Sequence, residues 1–340
     1  MSSNSALSPA ISDTKQVFAA TIADVEAAAD RIAGQIIRTP LFESAAISAA
    51  CGARILIKPE MLQHTGSFKF RGASNRVALM SAAERAGGIV AWSSGNHALA
   101  ISAVAARHGM KATILMPSDA PRAKIEGAER LGGTVRLYDR ATEVREEIGA
   151  EIAARTGAVI IPPYDDPHVI AGQGTVGLEL AEQAAALGAQ LDMALFACSG
   201  GGLVAGAATA LKARSPATLV YSAEPAGFDD TARSLASGKP ERNAAGATTL
   251  CDALMVPTPG LLTFPINRAL LAGGVAVTDD EVKAAMRLVY ETLKLVVEPG
   301  GVTPLAAVLA GKVDAKGKTV GVMLSGGNVD PGTYAACIGA

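Results

Sequence analysis

Met193-Ala194-Leu195-Phe196-Ala197-Cys198-Ser199-Gly200-Gly201-Gly202-Leu203-Val204-Ala205-Gly206 opens a window that carries no charge as far as Leu211. By length and polarity alone it could cross a bilayer. Ser199 and three glycines interrupt it midway, however, and break it into two apolar runs. A short apolar run, a glycine turn and a second apolar run read as strand, tight turn and helix. A strand that is apolar throughout, rather than alternating, belongs to a parallel sheet covered on both faces.

The rest of the chain agrees with that reading. Its 340 residues are enough for two core-forming units. Apolar residues make up 49% and aromatics only 4%, so the apolar weight is aliphatic, as parallel sheets require. Strands are expected at Ala53–Lys58, Ile89–Trp92, Lys111–Met116, Thr134–Tyr138, Ala158–Ile161, Leu191–Ala197, Leu219–Ala223 and Thr319–Leu324. Helical spacing lies between them, at Ile22–Ile36, Pro121–Leu131, Ala141–Arg155, Gly174–Leu187 and Asp279–Leu295. Another helix should begin near Lys69 and run towards Met80. The stretch before Val277 is irregular. Alternating strands and helices predict an α/β fold with doubly wound, mostly parallel sheets in two domains. Residues 88–166 read as a small domain, with 1–87 and 167–340 forming a large one. Residues 1–13, polar and small, read as a disordered tail without signal-peptide character.

Net charge is -2 with no basic block, so neither nucleic acid nor an anionic membrane is an expected partner. Cys51, Cys198, Cys251 and Cys337 have no metal-ligand or redox-pair spacing. They read as reduced thiols of a cytoplasmic protein.

Chemistry is expected where strands end. In Gly66-Ser67-Phe68-Lys69-Phe70-Arg71-Gly72, Ser67 is placed to cap a helix and Lys69 falls in its first turn. The positive helix end and the aromatic neighbours both disfavour the ammonium form, leaving a nucleophilic amine. Gly200, Gly201 and Gly202 open a helix with bare amides, which suits a phosphate. The spacing Gly200-x-Gly202-x-x-Ala205, with Glu224 ending the next strand, is also an adequate dinucleotide fingerprint. A nicotinamide-dependent oxidoreductase therefore stays open at this point. Ser93-Ser94-Gly95-Asn96 ends a strand with small donors that suit a carboxylate, and Asn96 could equally be an ordinary helix cap. His97 reads as a packing residue. Ser325-Gly326-Gly327-Asn328 offers a hydroxyl to a ring nitrogen. Amine, phosphate cradle, carboxylate cradle and hydroxyl together make a site for pyridoxal phosphate and an amino acid.

These motifs, with Ala171-Gly172-Gln173-Gly174-Thr175 and Glu298-Pro299, resemble in order the serine/threonine dehydratases and serine racemases. Those are tryptophan-synthase-like (fold type II) pyridoxal phosphate enzymes, and the likeness runs from about Thr39 to the C-terminus. The resemblance implies that Lys69 is joined covalently to the cofactor. Ser199, Gly200, Gly201, Gly202 and Leu203 would hold its phosphate. Asn96 would meet the 3-hydroxyl, Phe68 would lie near the ring, and Ser325 would face the pyridine nitrogen. Ser93, Ser94 and Asn96 would bind the substrate carboxylate, and in the racemases the residue matching Ser94 delivers a proton to the opposite face. The loop Glu224 to Asp230 resembles a divalent-metal loop, with Glu224, Asp230 and the Phe228 carbonyl as ligands for Mg²⁺ or Ca²⁺.

The implied activity is dehydration of a β-hydroxy amino acid such as L-threonine or L-serine to a 2-oxo acid and ammonia. Racemisation of the same substrates is the alternative, and a homodimer the expected assembly. Many relatives have Gly-Gln where this chain has Ala98-Leu99, near the substrate loop. No ACT-like regulatory unit is expected after Asn328.

Overall fold

The computed structural model describes residues 18–339. The expected tail, residues 1–13, lies outside the described residues. Among the described residues there are ten strands. They are β1 (Phe42–Glu43), β2 (Arg54–Pro59), β3 (Ile89–Trp92), β4 (Ala112–Pro117), β5 (Thr134–Tyr138), β6 (Val159–Ile160), β7 (Met193–Ala197), β8 (Leu219–Pro225), β9 (Gly273–Val277) and β10 (Thr319–Leu324). A six-stranded sheet has the order β1-β2-β10-β7-β8-β9, parallel except for β1. A four-stranded, wholly parallel sheet has the order β5-β4-β3-β6 and is built from residues 89–160 only.

Because side chains alternate across a strand, each buried strand feeds two cores. On β2, Ile55 and Ile57 face one core, and Leu56 faces the other. On β7, Leu195 and Phe196 divide in the same way. One face of the six-stranded sheet is covered by the helices Asp279–Leu293 and Thr303–Leu309. The other is covered by Pro167–Ala186 and Gly202–Arg214. The charge-free window is thus β7, a turn and a buried helix, and no described helix is long and apolar enough to cross a membrane.

The helix Lys69–Ala78 belongs to neither sheet alone. Phe70, Ala73 and Val77 pack with Ile89, Ile101 and Ile114 of the smaller sheet's core. Its opposite side meets the helix Pro167–Ala186, where Gly72 and Gly172 approach so closely that a Cβ on either would collide. The irregular stretch before Val277 proves to contain a helix, Thr263–Leu270, and the edge strand β9. Both glycines of β9 and its half-buried residues hide a strand from a periodicity argument.

Candidate active site

The loops after β2, β3, β6, β7 and β10 meet: Lys69 reaches Pro163, Asn96 reaches Asn328, and Tyr164 lies against Gly200. The Lys69 stretch is held directly against the end of β10. Ser67 bridges Gly326, the Phe68 amide donates to the Ser325 carbonyl (3.1 Å), and Gly327 N–H donates to Gly66 O (2.9 Å). Ser67 therefore does not cap the helix as the sequence suggests. Its backbone is extended (φ -163°), the helix begins at Lys69 without a side-chain cap, and the Ser67 hydroxyl is buried without a partner. Pairing with a strand end far along the chain has overridden the local capping preference.

Lys69 Nζ donates to the Pro163 carbonyl (2.6 Å) and lies 5.1 Å from the Phe68 ring centroid. Burial pushes the ammonium down to about 8, against the opposing pull of the Glu298 carboxylate. The shift is in the expected direction, towards the free amine, and desolvation is its main cause.

Asn96 is the first residue of the helix Asn96–Arg107, whose cap position is Gly95, so the ordinary-cap reading fails. Asn96 Nδ2 instead donates to Glu298 Oε1 (2.6 Å), and Asn96 Oδ1 accepts from Asn328 Nδ2 (2.6 Å). Asn328 also reaches the Thr65 carbonyl (2.8 Å), beside the lysine stretch. Glu298 was legible only as part of a motif. Burial raises its carboxyl to about 7. In the same loop as Asn96, Ser93 Oγ accepts from Gly95 N–H (3.1 Å), and Ser94 is half-buried beside it. His97 packs, as expected: its Nε2 lies 2.9 Å from the Ile161 carbonyl, and burial, with Lys69 nearby, pushes it down to about 3. It is a neutral imidazole.

After β7 the chain turns through Gly201, whose φ of 88° favours glycine, into the helix Gly202–Arg214. No side chain caps that helix. Its first-turn amides are therefore available to an anion. Tyr164, next to Pro163, lies against the turn so closely that a Cβ on Gly200 would strike its ring. Neither Tyr164 nor Glu298 has a role visible in the sequence, because each acts through a partner distant in the chain. Leu203 and Phe68 share one apolar cluster with Cys198. Ser325 is buried at the end of β10, beside Phe68.

Glu224, next to last in β8, and Phe228 and Asp230, after it, stand apart. Glu224 is buried and accepts from the Thr231 and Ala232 amides (3.0 and 2.8 Å). Asp230 accepts from Asn243 through Oδ1 (2.6 Å), while its Oδ2 is buried with no partner. Burial lifts both carboxyls above their ordinary range, Asp230 to about 6. Among the described residues no three His, Cys, Asp or Glu side chains cluster as a metal set. Any cation there would need carbonyl oxygens as well.

A family model described as pyridoxal-phosphate dependent enzyme matches residues 32–326. The chain is 42% identical over 315 residues to an L-threo-3-hydroxyaspartate ammonia-lyase from Pseudomonas sp, covering 93% of this chain and 97% of that protein. It is 40% identical over 328 residues to a serine racemase from Arabidopsis thaliana, covering 94% and 96%. The crystal structure of a T.th. threonine deaminase superposes with a TM-score of 0.86 at 42% identity, covering 91% of this chain and 99% of that one. The chain belongs to the pyridoxal-phosphate dependent enzymes. It has their fold type II architecture, and its cofactor is pyridoxal phosphate. Glu224 therefore has no dinucleotide to bind, and the oxidoreductase reading falls. The site suits the family's cofactor: the desolvated amine bonds to Pro163, whose neighbour Tyr164 lies against the turn that opens the uncapped helix, and the hydroxyl of Ser67 and Nδ1 of His97 are buried without partners.

Proposed function

We propose that the protein is an ammonia-lyase that dehydrates a β-hydroxy amino acid to a 2-oxo acid and ammonia. The observation that carries this is Lys69: an amine brought down to about 8 by burial, with a backbone carbonyl as its hydrogen-bond partner. When bound, pyridoxal phosphate supplies an electron sink that makes the α-proton of an attached amino acid acidic. Lys69 would hold the cofactor through its amine, and Nζ would serve as the base that receives the substrate's α-proton. Gly200 to Leu203, with Ser199, would hold the phosphate, and Phe68 would line the ring. Ser325 would offer a neutral hydroxyl, rather than a carboxylate, to the ring nitrogen. Ser93, Ser94 and Asn96 orient the substrate carboxylate, with Asn96 fixed from behind by Glu298 and Asn328.

Relatives named for hydroxyaspartate, threonine and serine support a substrate among the small β-hydroxy amino acids. Racemisation is the second reading. It needs a proton donor on the face opposite Lys69, and Ser94 is the candidate. Release of 2-oxo acid and ammonia should be measured across L-serine, L-threonine and L-threo-3-hydroxyaspartate, with chiral analysis of recovered substrate. Ammonia release should dominate. Formation of D-amino acid with little ammonia would replace this reading with the racemase.

We further infer a divalent cation site at Glu224, Asp230 and the Phe228 carbonyl. The unpartnered, buried Asp230 Oδ2 supports it. A bound Mg²⁺ or Ca²⁺ would raise the melting temperature, since it binds only the folded chain. If chelator leaves melting unchanged, the loop is a capped turn. We also infer two domains, 88–166 and the remainder, a homodimer, and a cytoplasmic location. The separate sheets and four free cysteines support the first and last of these.

A further inference from the structure

The glycine turn after β7 is braced from behind. Thr263 Oγ1 donates to the Gly200 carbonyl at 2.6 Å, and the Gly260 amide reaches the same oxygen at 3.3 Å. Four residues on, and on the same side of the short helix Thr263–Leu270, Asn267 Nδ2 faces the Gly201 carbonyl at 3.4 Å. Both side chains are fully buried. Gly201 is pressed so tightly on them that a Cβ would lie 2.6 Å from Asn267 and 2.9 Å from Thr263.

The geometry of the peptide unit gives these contacts a consequence. In a trans peptide, carbonyl and amide of one unit point in opposite directions. There is no cis peptide among the described residues. Holding the Gly200 carbonyl towards Thr263 therefore turns the Gly201 amide the other way, away from the brace. The Gly201 carbonyl is in turn engaged by the helix, accepting from Ala205 N–H (2.9 Å), which aims the Gly202 amide out of the helix's first turn.

The brace is itself anchored. Asp165 Oδ2 and Oδ1 accept from the Leu261 and Leu262 amides at 3.0 and 2.8 Å, just before Thr263. Asp165 belongs to the same loop as Pro163, which receives Lys69 Nζ, and Tyr164, which lies against Gly200 and Gly202.

We propose that Thr263, aided by Asn267, is a positioning residue for the cofactor's phosphate: it fixes the orientation of the glycine-turn amides rather than touching the cofactor. This rests on the reading of Gly200 to Gly202 as the phosphate cradle. It goes beyond that reading in assigning a dedicated support to residues outside every motif.

The test compares pyridoxal 5'-phosphate with pyridoxal, which lacks the phosphate. Both are titrated into cofactor-stripped protein and followed by their absorbance. Wild type should prefer the phosphorylated form. Thr263→Val, which keeps the side-chain shape and removes the hydroxyl, should weaken binding of pyridoxal 5'-phosphate by about tenfold and leave pyridoxal binding unchanged. Thr263→Ser should restore the preference. If Thr263→Val does not fold, Asn267→Ser gives the same readout on the next carbonyl. A wild type that binds both forms equally would remove the phosphate-cradle reading itself. A wild type with the preference, and a folded Thr263→Val that keeps it in full or loses affinity for both forms equally, would overturn the role of Thr263.

Discussion

Lys69 and Arg71 are two residues apart on one helix, Arg71 fully buried and Lys69 half-buried, and their surroundings are opposite. Arg71 makes paired bonds to Glu60 (2.8 and 2.7 Å) and to Glu179 (2.6 and 2.9 Å), with Thr175 at 3.2 Å. Lys58 closes the set on Glu179 (2.5 Å), Thr39 O and Gln183. Two cations meet two carboxylates, so the cluster is neutral. Burial pushes the Glu60 carboxyl up, yet Arg71 and Lys58 outweigh it and hold the group below its ordinary range. Lys69 has a carbonyl and a distant carboxylate, and its ammonium is correspondingly unstable. A buried charge with saturated partners joins β2 to two helices. A buried charge left short of partners is poised to react.

Substitution should separate the two roles. Lys69→Met should reduce turnover by at least roughly 10³-fold and abolish covalent cofactor attachment, while the melting temperature of the cofactor-free protein holds or rises. Assays of ammonia release beside calorimetry check both halves. Arg71→Met should do the reverse. It leaves Glu60 and Glu179 short of a cation and should lower stability by about 3–5 kcal/mol in denaturant unfolding, with the cofactor's absorbance band retained in whatever remains folded. Equal stability losses in the two variants would erase the distinction.

The carboxylates sharpen it further. Glu298 is raised to about 7 by burial, so across pH 4.5–7 the folded chain holds a proton that the unfolded chain has lost. Its contribution to stability therefore falls as pH rises through that window. Glu298→Gln should stabilise the cofactor-free protein by about 1–3 kcal/mol at pH 8, the gain fading towards pH 4.5. Glu60, held low, has the opposite sign: its contribution is present above pH 4.5 and is lost as pH falls, so Glu60→Gln should destabilise at neutral pH. Unfolding curves at several pH values would show the crossing slopes, and parallel slopes would contradict the contrast.

What was legible in the sequence was local. Ile89–Trp92, Thr134–Tyr138 and Thr319–Leu324 stand where aliphatic runs meet glycine or polar punctuation. The helix Pro167–Ala186 starts earlier than its Gly174–Leu187 pattern, since Asp166 caps the His168 and Val169 amides and the tightly packed Gly172 and Gly174 blur the periodicity. Lys69 announced itself by its aromatic neighbours. The rest depends on pairings across the fold. Ser67 meets Gly326, Lys58 meets a carboxylate 121 positions away, and Thr263 meets a carbonyl 63 positions away. No local pattern encodes such contacts, which is why the supports of the site escaped notice while its reactive residues did not.

The central claim is that Lys69, and no other lysine, carries the cofactor. Borohydride reduction of the holoenzyme followed by peptide mapping tests it directly. The pyridoxyl label should appear on the peptide containing Lys69, stoichiometrically, and vanish in Lys69→Met. A label on Lys58 or any other lysine, or no label at all from protein showing the cofactor's absorbance band, would contradict the account.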